Sequence, residues 1–195
     1  MAEEHESGMV GRKFEEAQAK RARALSLHGP LDLLAIAIAT GLGVGFMPLA
    51  PGTFGSLVGV AIFYGLNAAL RYEPHLLQNS ILAASVALAI LGAWAATRAE
   101  KVFEQKDASQ IVIDEVCGQL ISFAFVPVFA VKTSGHLTLV AGFALFRLFD
   151  IFKPYPIRRL EALGSGLGVM ADDILAGIYA AIVLSLLLLF APYPF

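Results

Sequence analysis

The sequence predicts an all-α, polytopic helical membrane protein with about five spanning helices and a re-entrant or interfacial N-terminal segment. Hydrophobic residues make up 57% of the 195 residues and charged residues only 15%, whereas soluble domains carry about 25% charged residues. The lengths of the apolar segments are close to the about 17–25 residues of a spanning helix. The six segments are Leu31–Met47, Gly55–Leu70, Ser80–Thr97, Val116–Val131, Leu137–Phe149 and Ile174–Phe190.

The chain before these segments differs from the rest in composition. It is charged and polar, and it shows no short apolar core of the kind that marks a secretory signal peptide. We therefore expect residues 1–30 to form a charged N-terminal extension and residues 31–195 to form one membrane-embedded domain.

The placement of Lys and Arg orients the predicted helices, because cytoplasmic loops carry an excess of these residues. If Leu31–Met47 does not cross the membrane, twelve of the fourteen basic residues lie on the cytoplasmic side. If it does cross, the basic N-terminal extension is separated from the other basic loops. The glycines and prolines between Gly41 and Gly52 also disfavour a regular helix. We therefore expect this segment not to span.

Five acidic residues lie at the predicted cytoplasmic ends of the helices: Asp114, Glu115, Asp150, Asp172 and Asp173. Ionisable groups near hydrocarbon are costly, so they usually pair, face the bundle interior or serve a function. Five carboxylates on one face cannot all stay ionised without countercharge, and oxygen ligands favour Mg²⁺. We expect all five to contribute to a metal site. The alternative is that they cap helix N-termini.

The candidate phosphate-binding cations come from Leu145–Arg159, with the sequence LFRLFDIFKPYPIRR. Arg147 and Asp150 are three residues apart and share a helix face, either as a simple ion pair or as part of a site. Lys153 precedes a proline, which disfavours helical geometry and should direct its side chain back across the cytoplasmic face. Arg suits bidentate phosphate contacts, and Lys acts as a point charge.

Two glycine-rich stretches, Gly41–Ser56 and Gly164–Asp173, precede predicted helices. Backbone N–H groups in such loops can cradle phosphate. In the first stretch, Gly52 and Ser56 are predicted to bind the substrate. Thr53 is a candidate catalytic hydroxyl, although water or an aspartate could equally be the attacking group.

Several classes of protein are excluded by composition or pattern. A net charge of −2 argues against a nucleic-acid partner. The single cysteine, Cys117, rules out an intramolecular disulfide and a Cys₄ zinc site, and no basic neighbour marks it as an activated nucleophile. The sequence also lacks the motifs of tyrosine-phosphatase-like enzymes, haloacid dehalogenases, type 2 phosphatidic acid phosphatases and CDP-alcohol phosphotransferases.

Acids, bases and glycine-rich stretches at one membrane face indicate phosphoryl chemistry on a lipid head group. In this hypothesis Asp114, Glu115 and Asp173 are catalytic carboxylates, one of them a general base, and bound Mg²⁺ polarises the phosphoryl oxygen. Arg147 and Lys153 offset the charge that develops on the phosphoryl group. The role of each individual carboxylate stays open.

Four ordered motifs resemble those of the phosphatidylglycerophosphatase A family. The resemblance extends from about Asp32 to Ala181. The motifs are MPLAPGTFGSL (Met47–Leu57), DEVCG (Asp114–Gly118), FRLFDIFKPYPI (Phe146–Ile157) and GLGVMADDILAG (Gly166–Gly177). The family's functional positions map onto Thr53, Asp114, Glu115, Arg147, Asp150, Lys153, Asp172 and Asp173.

The resemblance implies a Mg²⁺-dependent, multi-pass hydrolase of the bacterial inner membrane. Its implied reaction removes the terminal phosphate of phosphatidylglycerophosphate and gives phosphatidylglycerol, and the placement of Lys and Arg puts the active site on the cytoplasmic face. A phosphatase for another lipid monophosphate and a small cation-transporting membrane protein are the alternatives. The oligomeric state is not predicted.

Overall fold

A computed structural model describes residues 15–16, 18–19, 29–70, 72–126, 128–160 and 165–190. The described secondary structure is entirely helical, which confirms the predicted all-α class. The predicted N-terminal extension, with its basic residues, lies almost wholly outside the described residues. The helices are α1 (Pro30–Ala39), α2 (Pro51–Leu70), α3 (Pro74–Phe103), α4 (Ile113–Ile121), α5 (Val128–Phe152), α6 (Ile157–Leu160) and α7 (Ser165–Phe190).

Three of these helices have the length and apolar composition needed to cross a membrane. They are α2, α3 and the stretch Gly166–Phe190 of α7. This finding applies to the described residues and supports membrane integration, whereas the predicted number of about five spans is not confirmed. All three helices expose large apolar side chains, such as Tyr64, Ile90 and Leu187, as expected for surfaces in contact with lipid.

The first apolar segment is not a regular spanning helix. Helix α1 has ten residues, about 15 Å of helix, against a hydrocarbon core of about 30 Å. The chain turns directly after it, where Gly41 and Gly43 adopt φ angles of 54° and 98°, a conformation that glycine tolerates. The Thr40 hydroxyl stabilises the turn by donating to Ile36 O (2.7 Å) and accepting from Gly43 N (3.0 Å).

The prediction of one helix over Val116–Val131 is wrong. Helix α4 begins earlier, at Ile113, and ends at Ile121, and α5 begins only at Val128. A helix of nine residues is about 14 Å long and cannot span a bilayer. Instead α4 packs against α2, α3 and α7 inside the bundle. Its continuous apolar run, which resembled a span in the sequence, is explained by contact with protein on several sides.

Glycines allow α4 to pack closely against its neighbours. A Cβ atom at Gly59 of α2 would lie 2.8 Å from Val116 O, and one at Gly177 of α7 would overlap Gly118 O. Small residues also lie on the packed face of α7, where Ala176, Ala180 and Ala181 are fully buried. Close backbone approach of this kind is how membrane helices associate, and here it places polar side chains of several helices together.

Candidate active site

Three carboxylates from two helices converge between α4 and α7. Asp114 and Glu115 lie in the first turn of α4, and Asp173 lies in α7. One carboxylate oxygen from each residue lies within 4.8 Å of the others. We call Asp114, Glu115 and Asp173 the carboxylate cluster. Its compactness depends on Gly118, one turn after Asp114, because a Cβ there would lie 2.5 Å from Asp173 O.

The carboxylate cluster is buried and incompletely hydrogen-bonded. Asp114 and Asp173 are 8% and 3% exposed. One oxygen of each of the three side chains is buried without a hydrogen-bond partner in the described part of the chain. Burial, followed by repulsion from Glu115 and Asp173, raises the pKa of Asp114 well above its usual range. Burial also raises the pKa of Glu115. A group of acids in this state requires protons or a cation.

A divalent cation fits the carboxylate cluster. The donors are oxygen atoms only, they are close together, and each residue offers an unpartnered buried oxygen. Mg²⁺ is bound in proteins by a small number of carboxylates together with water and substrate phosphate. The arrangement therefore has the donor chemistry of a magnesium site.

Arg147 lies beside the carboxylate cluster and is held by two partners. Its Nη1 atom is 2.6 Å from Asp150 Oδ2, so the two residues that share a face of α5 form an ion pair. The same nitrogen donates to Ser56 Oγ at 3.3 Å, and the Ser56 hydroxyl donates to Gly52 O at 2.9 Å. Ser56 is fully buried, so in this structure it supports Arg147, a role that the sequence analysis did not anticipate.

Lys153 reaches the same region from the end of α5. Helix α5 ends at Phe152, as the following Lys153–Pro154 predicts. Lys153 has a φ of 43°, in the left-handed region and not in the extended region that proline favours for the preceding residue. Its Nζ atom is 2.6 Å from Asp172 Oδ2. The predicted return of Lys153 across this face is therefore present in the structure. Asp172 keeps one buried oxygen without a hydrogen-bond partner among the described residues.

The first turn of α2 borders the carboxylate cluster on a further side. Pro51 opens the helix, where its missing N–H costs nothing. A Cβ at Gly52 would overlap the Glu115 carboxylate and lie 3.5 Å from Arg147 Nη1, so a larger residue here would displace the Glu115 carboxylate. Thr53 is half-buried next to Gly52. Within the described residues, no bond between its hydroxyl and the carboxylate cluster is present.

Two predictions about local structure around the acids are wrong. Asp172 and Asp173 do not lie at a helix entry, because α7 begins at Ser165 and both residues are two turns inside it. The described part of the second glycine-rich stretch is helical from Ser165, so it is not a phosphate-cradling loop. Its Gly166 instead allows α7 to approach α3, since a Cβ there would overlap Ala93 O.

Helix capping and thiol chemistry do not explain this region. The N-cap position of α4 is Val112, without a side-chain capping bond, so capping of that position is not the role of Asp114. Cys117 is fully buried, and burial raises the pKa of its thiol to about 12. A thiol with this pKa stays protonated at neutral pH and is a poor nucleophile.

Comparison with known proteins identifies the family. The family model of phosphatidylglycerophosphatase A matches residues 37–188. The chain belongs to the phosphatidylglycerophosphatase A family. It is 36% identical to the phosphatidylglycerophosphatase A of Haemophilus influenzae over 162 residues, which cover 83% of this chain and 90% of that protein. It is 31% identical to the phosphatidylglycerophosphatase A of Escherichia coli over 158 residues, which cover 80% of this chain and 83% of that protein.

A third relative carries a different substrate in its name. The chain is 37% identical to a putative phosphatidylinositol-3-phosphatase of Bacteroides thetaiotaomicron over 156 residues, which cover 79% of this chain and 93% of that protein. No solved structure matches the chain. Family membership and the relatives agree that the chain is a phospholipid phosphatase, while the lipid that each relative is named for differs.

Proposed function

We propose that this chain is a Mg²⁺-dependent phosphatase that hydrolyses the terminal phosphate of phosphatidylglycerophosphate to give phosphatidylglycerol. The observation that carries the proposal is the carboxylate cluster itself, two buried acids and one half-buried acid, each with a buried unpartnered oxygen, beside two ion-paired cations. This combination can hold a divalent cation and a phosphate group side by side.

We assign the five predicted metal ligands to two groups. Asp114, Glu115 and Asp173 would hold Mg²⁺, since one carboxylate oxygen of each lies within 4.8 Å of the others and each side chain keeps a buried oxygen without a hydrogen-bond partner among the described residues. Asp150 is ion-paired with Arg147, and Asp172 is ion-paired with Lys153, each at 2.6 Å. Their proposed role is to position Arg147 and Lys153, in place of the metal ligation expected from the sequence.

Arg147 and Lys153 would bind the oxygens of the substrate phosphate. The forked guanidinium suits two phosphate oxygens and the ammonium acts as a point charge. Both would stabilise the charge that builds up as the P–O bond to the glycerol breaks. When bound, Mg²⁺ would add electrophilic assistance at the phosphoryl group.

The hydrolysis also needs a nucleophile and a proton acceptor. We propose that a carboxylate of the cluster accepts the proton of an attacking water molecule. Thr53 is the alternative nucleophile, because it lies in the first turn of α2 next to Gly52, whose Cα borders Glu115. A carboxylate within hydrogen-bond reach of the attacking water can serve as its general base.

We place the site at the cytoplasmic face of a bacterial inner membrane. Support comes from the basic residues near the helix ends on the side of the proposed site, which are Arg98 and Lys101 at the end of α3 and Lys153, Arg158 and Arg159 after α5. A single cysteine introduced at Pro48, in the Cys117→Ala background, should react with a membrane-impermeant reagent only in inverted vesicles. Reaction in right-side-out cells would contradict this orientation.

Phosphate release by the purified chain in neutral detergent tests the function. We expect release from phosphatidylglycerophosphate with Mg²⁺ and loss of release with EDTA. Phosphatidylinositol 3-phosphate and phosphatidic acid serve as competing substrates, the first because of the relative from Bacteroides thetaiotaomicron. A preference for either one would overturn the assigned substrate, and activity insensitive to EDTA would overturn the metal.

A further inference from the structure

A second charged site lies away from the carboxylate cluster, between α1 and α3. A cavity of about 350 Å³ is lined by Asp32, Arg98, Lys101 and Val102. We call this the Arg98 cleft. Its volume falls within the range of small-ligand sites, and none of its lining residues belongs to the proposed catalytic machinery.

The Arg98 cleft carries two cations and one acid. Arg98 Nε is 2.9 Å from Asp32 Oδ1, and the two side chains are 37% and 27% exposed. This contact orients the guanidinium but uses one of its five N–H donors. Glu100, close by in sequence, accepts a hydrogen bond from Asp107 N at 2.8 Å and does not line the cleft. Among the residues that the structure describes, the lining of the cleft therefore has a net positive charge.

The cleft lies at the end of a helix that is long and apolar enough to cross a membrane. Arg98 and Lys101 are in the last two turns of α3, one of the three helices able to cross a membrane. The Arg98 guanidinium lies 5.9 Å from the ring centre of Trp94, and tryptophan and basic residues are enriched at membrane interfaces. Basic pockets between helices at this depth bind the head groups of anionic lipids.

We propose that the Arg98 cleft binds the phosphate group of an anionic phospholipid at a site separate from catalysis. Arg98 and Lys101 bind the phosphate, and Asp32 holds Arg98 in place while reducing the net charge. The proposal does not rest on the proposed reaction, because the cleft lies on the α1–α3 side of the bundle.

Trp94 is the single tryptophan of the chain, so its fluorescence reports on the cleft without any engineering. The purified chain in neutral detergent is titrated with phosphatidylglycerol carrying bromine near the head-group end of one acyl chain. Phosphatidylcholine brominated at the same position is the control lipid. We expect half-maximal quenching at a severalfold lower mole fraction of the anionic lipid. Equal quenching by both lipids would overturn the proposal.

Charge variants test which residues are responsible. Arg98→Gln and Lys101→Gln should each weaken anionic-lipid quenching about fivefold, which corresponds to about 1 kcal/mol per basic residue near the surface. Asp32→Asn should strengthen it, because one competing negative charge is removed. Arg158→Gln, at an exposed basic residue outside the cleft, should leave it unchanged.

Asp32→Asn and Arg98→Gln are expected to change quenching by the anionic lipid in opposite directions, which a general loss of folding in both variants could not produce. If the Asp32–Arg98 ion pair is purely structural, Asp32→Asn and Arg98→Gln act in the same direction, and the proposal fails. Displacement of the brominated lipid by millimolar inorganic phosphate, but not by chloride at matched ionic strength, would overturn the lipid assignment in favour of free phosphate. Lack of displacement supports the lipid.

Discussion

The carboxylate cluster, with Arg147 and Lys153 beside it, and the Arg98 cleft both bring acids and bases together, but they differ in burial and in the sign of their charge. Around the cluster the acids outnumber the two cations and Asp114 and Asp173 are buried, so the region needs a cation from outside to neutralise it. In the cleft the cations outnumber the acid and the side chains are partly exposed. Charge removal should therefore be severe in the first region and mild in the second.

The largest effect is expected from Asp173→Asn. Loss of one of the three clustered acids should lower turnover about a hundredfold or more, because electrostatic groups at a reacting centre have effects of this size. Phosphate release at saturating Mg²⁺ is the measurement. Asp107→Asn is the matched control, since Asp107 is exposed and its φ of 49° suits asparagine. Full activity of Asp173→Asn would remove the cluster from the mechanism.

Gly52→Ala should give the next largest loss, about tenfold to a hundredfold in turnover, because small displacements of catalytic groups are costly. The added Cβ overlaps the Glu115 carboxylate. Gly65→Ala on the same helix is the control, since a Cβ there has no atom within 4 Å. If the two variants have equal activity, close contact of α2 with Glu115 is not required.

Asp172→Asn tests whether the acids that pair with Arg147 and Lys153 are distinct from the proposed metal ligands. Lys153 loses its 2.6 Å ion pair with Asp172, so KM should rise about tenfold while kcat falls less, as expected when a substrate-binding group is displaced. The dependence of the rate on Mg²⁺ concentration should stay close to that of the unmodified chain. A large shift in that dependence would make Asp172 a metal ligand after all.

Arg98→Gln should have the smallest effect on hydrolysis in neutral detergent, within about twofold. The Asp32–Arg98 pair is partly exposed, and such pairs contribute about 0–1 kcal/mol to stability. Arg147→Gln, at the less exposed ion pair beside the carboxylate cluster, should lose most turnover, because it removes a proposed phosphate-binding group and leaves Asp150 without its 2.6 Å partner. Similar losses of hydrolytic activity in Arg98→Gln and Arg147→Gln would contradict the proposed difference between the Arg98 cleft and the active site.

The side chains of the proposed active site were predictable because their cost in a membrane is visible in the sequence. Acids such as Asp114 and Asp173 are costly in apolar surroundings, which makes them candidates for a functional site. The proline after Lys153 predicts the end of α5. Four motifs in order added the family. The pairing of Arg147 with Asp150 followed from their spacing alone.

The proposed assignment of three acids to the metal, and of the other two to Arg147 and Lys153, could not be predicted from the sequence. It depends on close approaches such as Gly118 to the backbone of Asp173, which are contacts between distant parts of the chain. Helix α4 was misread for a related reason, since a helix surrounded by protein and one surrounded by lipid are equally apolar. The Arg98 cleft was missed because Arg98 and Lys101 were interpreted only as part of the basic excess on one membrane face.

Binding of Mn²⁺, observed by the loss of the electron paramagnetic resonance signal of the free ion, tests the central claim most directly. The purified chain should bind Mn²⁺ in competition with Mg²⁺, Asp173→Asn should weaken binding about tenfold or more, and Asp107→Asn should not change it. Unchanged Mn²⁺ affinity in Asp173→Asn would contradict a metal site formed by Asp114, Glu115 and Asp173.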